Sequence, residues 1–217
     1  MDGWTPAVRN IGALLRARAR ERGDQPCLTY HDERGGERTE LGYATLFNWV
    51  SKTSNLLTEE LGVGRGDRVG LGTGDHWTTA VLASACWQVG AAALPRSPGE
   101  DRAPVAVLFA REDLRRPAGS PTPTVVVGTG LGARLTTDPG DALPYAEEVL
   151  AFADDYDDED VSLDDDALVV PPVRLSQRNL LAAAEALVAW GDLGPDDRLL
   201  SAVPATSVQA LALGWLG

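Results

Sequence analysis

Lysine is almost absent from this chain of 217 residues, and its scarcity restricts the chemistry that the chain can perform. Of the 19 basic residues, 18 are arginine and one, Lys52, is lysine. A lysine that clamps a phosphate, forms a Schiff base or acts as a general base must therefore be Lys52. That residue falls on the side of a predicted helix away from its apolar stripe, and we expect it to be a solvated surface side chain.

The two histidines and two cysteines do not form a recognisable catalytic or metal-binding pattern. Neither His31 nor His76 accompanies a serine or cysteine in a nucleophile motif such as Gly-x-Ser-x-Gly. We interpret His76, at a predicted helix start, as a capping-region or surface residue. Cys27 and Cys86 are expected to be buried free thiols, and the lack of a Cys/His cluster argues against a zinc site.

Glycines follow a predicted strand in the segment 128–133, which reads Gly-Thr-Gly-Leu-Gly-Ala. This spacing fits the Gly-x-Gly-x-x-Ala fingerprint of dinucleotide sites, which works only when a helix N-terminus follows the loop. Arg134 instead leads into the turn-forming residues 136–140. We interpret the segment as a glycine-rich surface turn, with a dinucleotide site as the alternative.

Acidic residues occupy nine of the 13 positions in the segment 154–166. The segment lacks the alternating ligands and the bend glycine of a calcium loop. It is predicted to be a solvated, partly mobile loop, and a surface for a basic partner is the alternative. The net charge of -13 and the pI near 4.5 argue against nucleic acid and against an anionic membrane surface as partners.

Helix and strand patterns alternate along the chain, which predicts an α/β fold with a layered, largely parallel sheet flanked by helices. We expect a single domain over residues 1–217. Helices are predicted from Thr5-Pro6 to Gly23, over 43–61, from a cap at Asp75 to about Gln88, from a cap at Ser176 to about Trp190, and over 206–216. Strands are predicted over 27–30, 39–41, 68–71, 91–94, 105–109, 124–127, 167–170 and 199–203.

No segment of the chain has the pattern of a targeting or membrane-spanning sequence. The first four residues lack the charged and then apolar regions of a signal peptide. The longest apolar tract, 80–94, is interrupted by Ser84, Gln88 and Gly90, and it is too short to span a bilayer. We therefore expect a soluble, cytoplasmic protein. The preference for arginine over lysine, with abundant alanine and glycine, indicates a GC-rich coding sequence.

Several segments resemble motifs of one enzyme family, in the order in which the family carries them. Residues 39–46 (Thr-Glu-Leu-Gly-Tyr-Ala-Thr-Leu) resemble its opening Thr-Tyr-x-x-Leu motif, and residues 61–69 resemble its Leu-Gly-Val-x-x-Gly-Asp-x-Val turn and strand. The segments 80–95, 164–170, 175–181 and 194–204 resemble later elements. On these motifs the chain resembles the adenylate-forming enzymes of the acyl-CoA synthetase and AMP-binding superfamily, and the first N-terminal subdomain of those enzymes implies the same α/β fold.

The resemblance breaks at the phosphate loop of that family. The family places a Ser/Thr/Gly-rich loop with a lysine there, whereas this chain has Pro-Pro-Val-Arg-Leu at 171–175. A phosphate cradle is made of backbone N–H groups, and proline has none. Gln177 and Ser207 stand where relatives have histidines. The chain also ends before the family's magnesium-binding glutamate, adenine motifs and lid lysine, so neither ATP nor Mg²⁺ is expected as a cofactor.

The resemblance therefore implies a truncated, catalytically silent relative that acts as a binding, scaffold or regulatory module. A protein partner or a second copy of the chain is expected to cover surfaces that a longer relative buries. Candidate residues for that interface are Trp190, Trp215 and Leu216.

Two other functions stay open at this point. A crevice at the carboxyl ends of the strands could still bind an adenylate or an acyl chain. Its candidate ligand-binding residues are Arg174, Ser176, Asn179 and Ser207. Alternatively, the chain supplies one half of a split adenylate-forming enzyme.

Overall fold

The computed structural model describes residues 8–32, 36, 38–96, 105–113, 122–158, 160–194, 197–203, 205, 207 and 210. Its helices are α1 (Ile11–Arg22), α2 (Tyr43–Asn55), α3 (Trp77–Gln88), α4 (Tyr145–Glu148) and α5 (Gln177–Gly191). Helix α2 continues as a π-helical turn at Leu56–Glu60, and 3-10 turns cover Leu131–Ala133 and Val149–Ala151.

The strands form one large sheet and one small hairpin. The strands are β1 (Pro26–His31), β2 (Arg38–Gly42), β3 (Arg68–Gly72), β4 (Ala92–Pro95), β5 (Val107–Arg111), β6 (Thr124–Val127), β7 (Leu143–Pro144), β8 (Asp166–Val170) and β9 (Val173–Ser176). Strands β1 and β2 pair antiparallel as the hairpin. The large sheet has the order β7-β6-β5-β3-β4-β8-β9, and every pair in it is parallel except β8–β9. The predicted α/β class with a largely parallel sheet is confirmed.

Helix α3 lies at the centre of the core. All twelve of its residues are buried, and it contacts α1, α2, β3 and β4. A helix without a solvent-facing side must satisfy its polar side chains internally. Thr79 does so by donating its hydroxyl hydrogen to the carbonyl oxygen of Gly74 at 2.8 Å. The core is thus built around α3 rather than beneath a single amphipathic helix.

Helix α1 begins at Ile11, later in the chain than the predicted start at Thr5-Pro6. Thr5 and Pro6 themselves lie outside the described ranges. Asn10 caps the helix, because its side-chain oxygen accepts a hydrogen bond from the N–H of Ala13 at 2.7 Å. The predicted end at Gly23 is confirmed, and its φ of 53° suits a residue without a Cβ.

The cap of helix α3 is also different from the prediction. His76, not Asp75, precedes the first helical residue, and its ring nitrogen accepts a hydrogen bond from the N–H of Thr78. Asp75 instead accepts a hydrogen bond from the N–H of Ala205 at 2.8 Å. Sequence alone could not separate two adjacent capping residues.

The segment 199–203 does not form the predicted strand. Leu200 is 92% exposed, and the segment pairs with none of the described strands. The predicted helix over 206–216 lies almost wholly outside the described residues, as do Trp215 and Leu216.

The acidic segment 154–166 is anchored to the N-terminal part of the chain through one buried residue, whereas most of its other described acidic residues are exposed, as a solvated loop predicts. The Asp158 side chain is buried, and its Oδ1 accepts hydrogen bonds from Arg9 at 2.7 Å and from Arg16 at 3.0 Å. Gly12 permits this close approach, because a Cβ at that position would lie 2.4 Å from Asp158 Oδ2.

Helix α2 holds the beginning of the same region through its polar side chains. The ammonium group of Lys52 donates to the carbonyl oxygen of Phe152. Asn55 donates to the carbonyl oxygens of Ala153 and Asp155, at 2.9 Å each. The expectation that Lys52 is a solvated surface residue is therefore wrong, because the single lysine anchors a loop.

The cysteines have the free state that the sequence predicts. Cys86 is buried and Cys27 is half-buried. Burial raises the pKa of the Cys27 thiol to about 12 and raises that of Cys86 further, so both stay protonated at neutral pH. Within the described ranges no group of three His, Cys, Asp or Glu residues is placed to hold a metal ion. No described helix has the length and apolarity needed to cross a membrane.

Replacing Asp158 by alanine should destabilise the protein by about 2–4 kcal/mol, because it removes a buried carboxylate from two arginines that are only partly exposed. Urea unfolding measures the change. The matched control is Asp160→Ala, which removes an exposed carboxylate from the same segment. Equal losses for the two variants would contradict the docking role of Asp158.

Candidate functional site

The carboxyl ends of the parallel strands form one edge of the sheet, where open α/β sheets bind their ligands. The register pairs Gly72 of β3 with Ala110 of β5, and Ala110 with Val126 of β6. The loops that follow β3, β5 and β6 therefore leave the sheet side by side. Strand β8 adds its own end to this edge through its parallel pairing with β4.

A tight hairpin replaces a loop at the end of β8. Val170 pairs with Val173, so the connection consists of Pro171 and Pro172 alone, joined by a cis peptide bond. The chain then returns antiparallel as β9, a strand that the sequence analysis did not predict. In the resemblance described above, this is the position of the phosphate loop.

Arg174, the cation predicted to contact a ligand, lies on β9. It pairs with Val169 in the register of the hairpin, and its Nη1 donates to Oδ2 of Asp166 at 3.2 Å. The arginine side chain is 58% exposed, so the ion pair is of the weak surface type. The structure gives Arg174 an intramolecular partner, and its ligand role stays a prediction.

Ser176 and Asn179 form the capping box of helix α5. The N–H of Asn179 donates to the Ser176 hydroxyl oxygen at 3.3 Å, and the N–H of Ser176 donates to the Asn179 side-chain oxygen at 2.9 Å. This confirms the predicted cap and helix. The structure thus brings Arg174, Ser176 and Asn179 together on one short segment, where each has an intramolecular hydrogen bond.

Ser207, the fourth predicted site residue, belongs to a different segment. Its hydroxyl oxygen accepts a hydrogen bond from the N–H of Ala210 at 3.1 Å. Two residues earlier, Ala205 is bound to Asp75 in the loop after β3. Among the hydrogen bonds of the described residues, none joins Ser207 to Arg174, Ser176 or Asn179.

Gln177, which stands where relatives have a histidine, is fully buried and joins three helices. Its side-chain oxygen accepts a hydrogen bond from the N–H of Ile11 at 2.7 Å. Its amide nitrogen donates to the carbonyl oxygen of Trp87 at 2.8 Å. The residue therefore has a structural role at the first turn of α5, and no local pattern in the sequence signalled it.

His76 lies at the carboxyl edge, at the start of α3, and is buried. Its Nδ1 lies 2.8 Å from the Thr78 hydroxyl oxygen, and its ring packs edge-on against Tyr30 with 5.3 Å between the ring centroids. Its Nε2 has no hydrogen-bond partner among the described residues. Burial, followed by the positive charge of Arg111, lowers the pKa of His76 to about 4. His76 is thus a capping residue, as interpreted, but not a surface one.

The glycine-rich segment 128–133 forms a closed turn rather than the entrance to a helix. Gly128 and Gly130 donate their N–H groups to the carbonyl oxygens of Ala133 and Arg134, at 3.0 Å each. A Cβ at Gly128 would lie only 2.0 Å from the Arg134 oxygen, which explains the glycine. The predicted turn is confirmed, but its described residues are buried or half-buried and not exposed at the surface.

Glu112, which the sequence analysis missed, lies directly after β5 and faces this turn. Its carboxylate accepts hydrogen bonds from Thr129, Thr136 and Thr137. Burial opposes its ionisation, but the hydrogen bonds outweigh burial and lower the pKa of Glu112 to about 2. The signal in the sequence was weak, since it consisted of one acidic residue at a strand end and three threonines near glycines.

A family model for the AMP-binding enzyme matches residues 15–150, more than half of the chain. The chain belongs to the AMP-binding enzyme family. This confirms the resemblance on which the sequence analysis relied. The β8–β9 hairpin and helix α5 lie outside the matched range.

The chain is also similar to one curated protein in sequence and to several solved structures in fold. A TIGR03089 family protein from Mycobacterium tuberculosis is 42% identical over 83 residues, which are 38% of this chain and 34% of that protein. The inhibitor-bound N-terminal domain of FACL13 from the same organism has a TM-score of 0.71 at 21% identity, over 96% of this chain and 55% of that one.

Two complete ligases have the same fold over nearly all of this chain. The acetoacetyl-CoA synthetase of Streptomyces lividans has a TM-score of 0.75 at 22% identity, over 99% of this chain and 39% of that one. The long-chain-fatty-acid-CoA ligase FadD1 of Archaeoglobus fulgidus has a TM-score of 0.76 at 17% identity, over 96% of this chain and 45% of that one. This chain therefore spans about half or less of the length of these AMP-binding enzyme relatives.

The buried His76 should make the stability of the protein fall in mild acid. Because the pKa of His76 is lower in the folded state than its ordinary value of 6.5, the unfolded chain binds the proton more readily. The contribution of neutral His76 to the free energy of unfolding is complete above pH 6.5. It is lost, by up to about 3 kcal/mol, as the pH falls towards 4. Urea unfolding at several pH values measures the loss, and His76→Asn, which keeps a capping side chain, should reduce it.

The matched control is His31→Asn, which removes the exposed histidine of β1. If both substitutions changed the acid dependence equally, His76 would not be its source.

Proposed function

We propose that this member of the AMP-binding enzyme family is a catalytically silent binding, scaffold or regulatory module. The observation that carries the proposal is the two-residue connection between β8 and β9. A loop that wraps the phosphates of ATP needs several converging N–H groups, and this connection consists of two prolines that have none.

The charges near the hairpin lead to the same proposal. Transfer of an adenylyl group needs a positive clamp at the phosphates in a site that excludes water. Arg174 is the cation of β9, and it is exposed and paired with Asp166. Lys52, the single lysine, bonds to the carbonyl oxygen of Phe152 in the docked loop. We therefore do not include ATP or Mg²⁺ among the ligands of this chain.

The purified chain should show no ATP–pyrophosphate exchange with any acyl substrate, and calorimetry should detect no heat with ATP. An acyl-CoA ligase of the same family, assayed in parallel, is the positive control. Exchange by the chain alone would overturn the proposal. Heat with AMP or an acyl-adenylate analogue, but not with ATP, would favour residual ligand binding, and Arg174→Ala should then weaken it.

We further propose that the partner of this module is a second copy of the chain, bound through β9. Strand β9 is the last in the sheet order, so no described strand pairs with its outer edge. Val173 on β9 is 53% exposed, and an uncovered apolar edge strand is a template for pairing. Two identical edges can pair antiparallel about a two-fold axis, and such an interface is self-complementary.

A further exposed apolar residue supports an interface. Trp190 near the end of α5, the helix that follows β9, is 87% exposed, in keeping with its prediction as an interface residue.

The second candidate function is one half of a split adenylate-forming enzyme, in keeping with membership of the AMP-binding enzyme family. It predicts that exchange activity appears when a chain carrying the remaining half is added.

Light scattering after size exclusion should give the mass of a dimer for the wild-type chain. Val173→Lys should shift the protein towards the monomer, because a charge on an edge strand opposes pairing. The matched control is Leu150→Lys, at an exposed leucine beside α4 at the other end of the sheet. A wild-type monomer at all concentrations, or equal effects of both substitutions, would contradict pairing through β9.

A further inference from the structure

We propose that the segment 128–137 is an oxyanion-binding cup whose occupant is the chain's own Glu112, and that it takes an external phosphate or carboxylate when that side chain is withdrawn. The cup lies at the carboxyl edge of the sheet, the usual ligand edge of such folds. It is separate from the β8–β9 hairpin, so the proposal does not rest on catalytic silence.

Three threonines line the cup, and each supplies both its backbone N–H and its hydroxyl. Glu112 Oε1 accepts from the N–H and hydroxyl of Thr129, at 2.7 Å each, and from the hydroxyl of Thr136 at 3.0 Å. Oε2 accepts from the N–H of Thr136 at 2.8 Å and from the N–H and hydroxyl of Thr137, at 3.0 Å each. Six donors thus converge on one anionic group.

Part of the cup is held by the loop itself and not by Glu112. The N–H groups of Gly128 and Gly130 bond to the carbonyl oxygens of Ala133 and Arg134, which closes the turn that carries Thr129, and Ala133 is buried with a φ of 60°. Converging backbone N–H groups with nearby hydroxyls are the usual means by which proteins hold oxyanions. The glycine spacing that suggested a dinucleotide site is explained by this closure.

The donors favour an oxyanion over other ligands. In all six contacts the cup supplies the hydrogen, and the three backbone N–H groups can only donate, so the cup favours an acceptor such as an oxyanion over a cation. Thr136 and Thr137 are exposed, which leaves the cup open to solvent. The low pKa of Glu112 agrees with strong stabilisation of a negative charge. In the wild-type chain the tethered carboxylate outcompetes a free anion, because its effective concentration is high.

The test is the thermal stability of Glu112→Ala in chloride, acetate, phosphate and sulfate at equal ionic strength. The variant should melt below the wild type in chloride, and an oxyanion should raise its melting temperature saturably. At ten times the dissociation constant, the unfolding equilibrium constant should fall about elevenfold. Acetate and phosphate distinguish a carboxylate from a phosphoryl ligand.

Phosphate and sulfate also stabilise proteins without binding to a site, so the wild type and Glu147→Ala set the background. Glu147 is an exposed glutamate on α4, outside the cup. Of these three proteins, only Glu112→Ala should gain melting temperature from an oxyanion beyond that background. Adding Thr136→Val and Thr137→Val to Glu112→Ala should abolish this gain.

Glu112→Ser is a second variant, which removes the tethered negative charge but keeps a polar side chain, and it decides the question if Glu112→Ala does not fold. Oxyanions should stabilise it beyond the wild type. Oxyanion responses of both variants that equal the background would overturn the proposal.

Discussion

The buried amide of Gln177 is the interaction on which the arrangement of the helices depends. It accepts from the N–H of Ile11 and donates to the carbonyl oxygen of Trp87, so one side chain joins the starts of α1 and α5 to the end of α3. Trp87 in turn donates its indole N–H to the carbonyl oxygen of Ala167 in β8, at 2.8 Å. Each of these groups is buried, and any one left without its partner would cost about 1–3 kcal/mol.

The carboxyl edge of the sheet is largely satisfied by the chain itself. Glu112 occupies the donors of the threonine loop, and Asp75 accepts from Ala205. Arg111 donates to Asp113 through two hydrogen bonds of 2.6 Å. In an edge that serves a ligand, some of these groups would point into an open crevice. Their intramolecular pairing makes Glu112 the side chain whose movement would expose most donors.

Local patterns in the sequence predicted most of the elements but few of the long-range contacts. The β-branched run of β6 and the Ser-x-x-Asn cap of α5 are patterns of residues close together in the sequence, so both were predicted correctly. Strand β9 was not, because its alternating Val-Arg-Leu-Ser segment is only four residues long and follows two prolines, which usually end a strand. The roles of Lys52 and Asp158 were also missed, since a charged residue on a helix or in an acidic run gives no sign of a buried partner about a hundred or more positions away.

The contacts of α1 have a consequence for the timing of synthesis. Helix α1 is synthesised well before α5, yet its N-terminus bonds to Gln177, a separation of 166 residues. At a translation rate of roughly 5–20 residues per second, about ten to thirty seconds pass before that partner exists. Helices α2 and α3, which pack against α1, are made much earlier. The N–H of Ile11 and the carbonyl oxygen of Trp87 therefore receive their buried partner only after the helices that carry them have been synthesised.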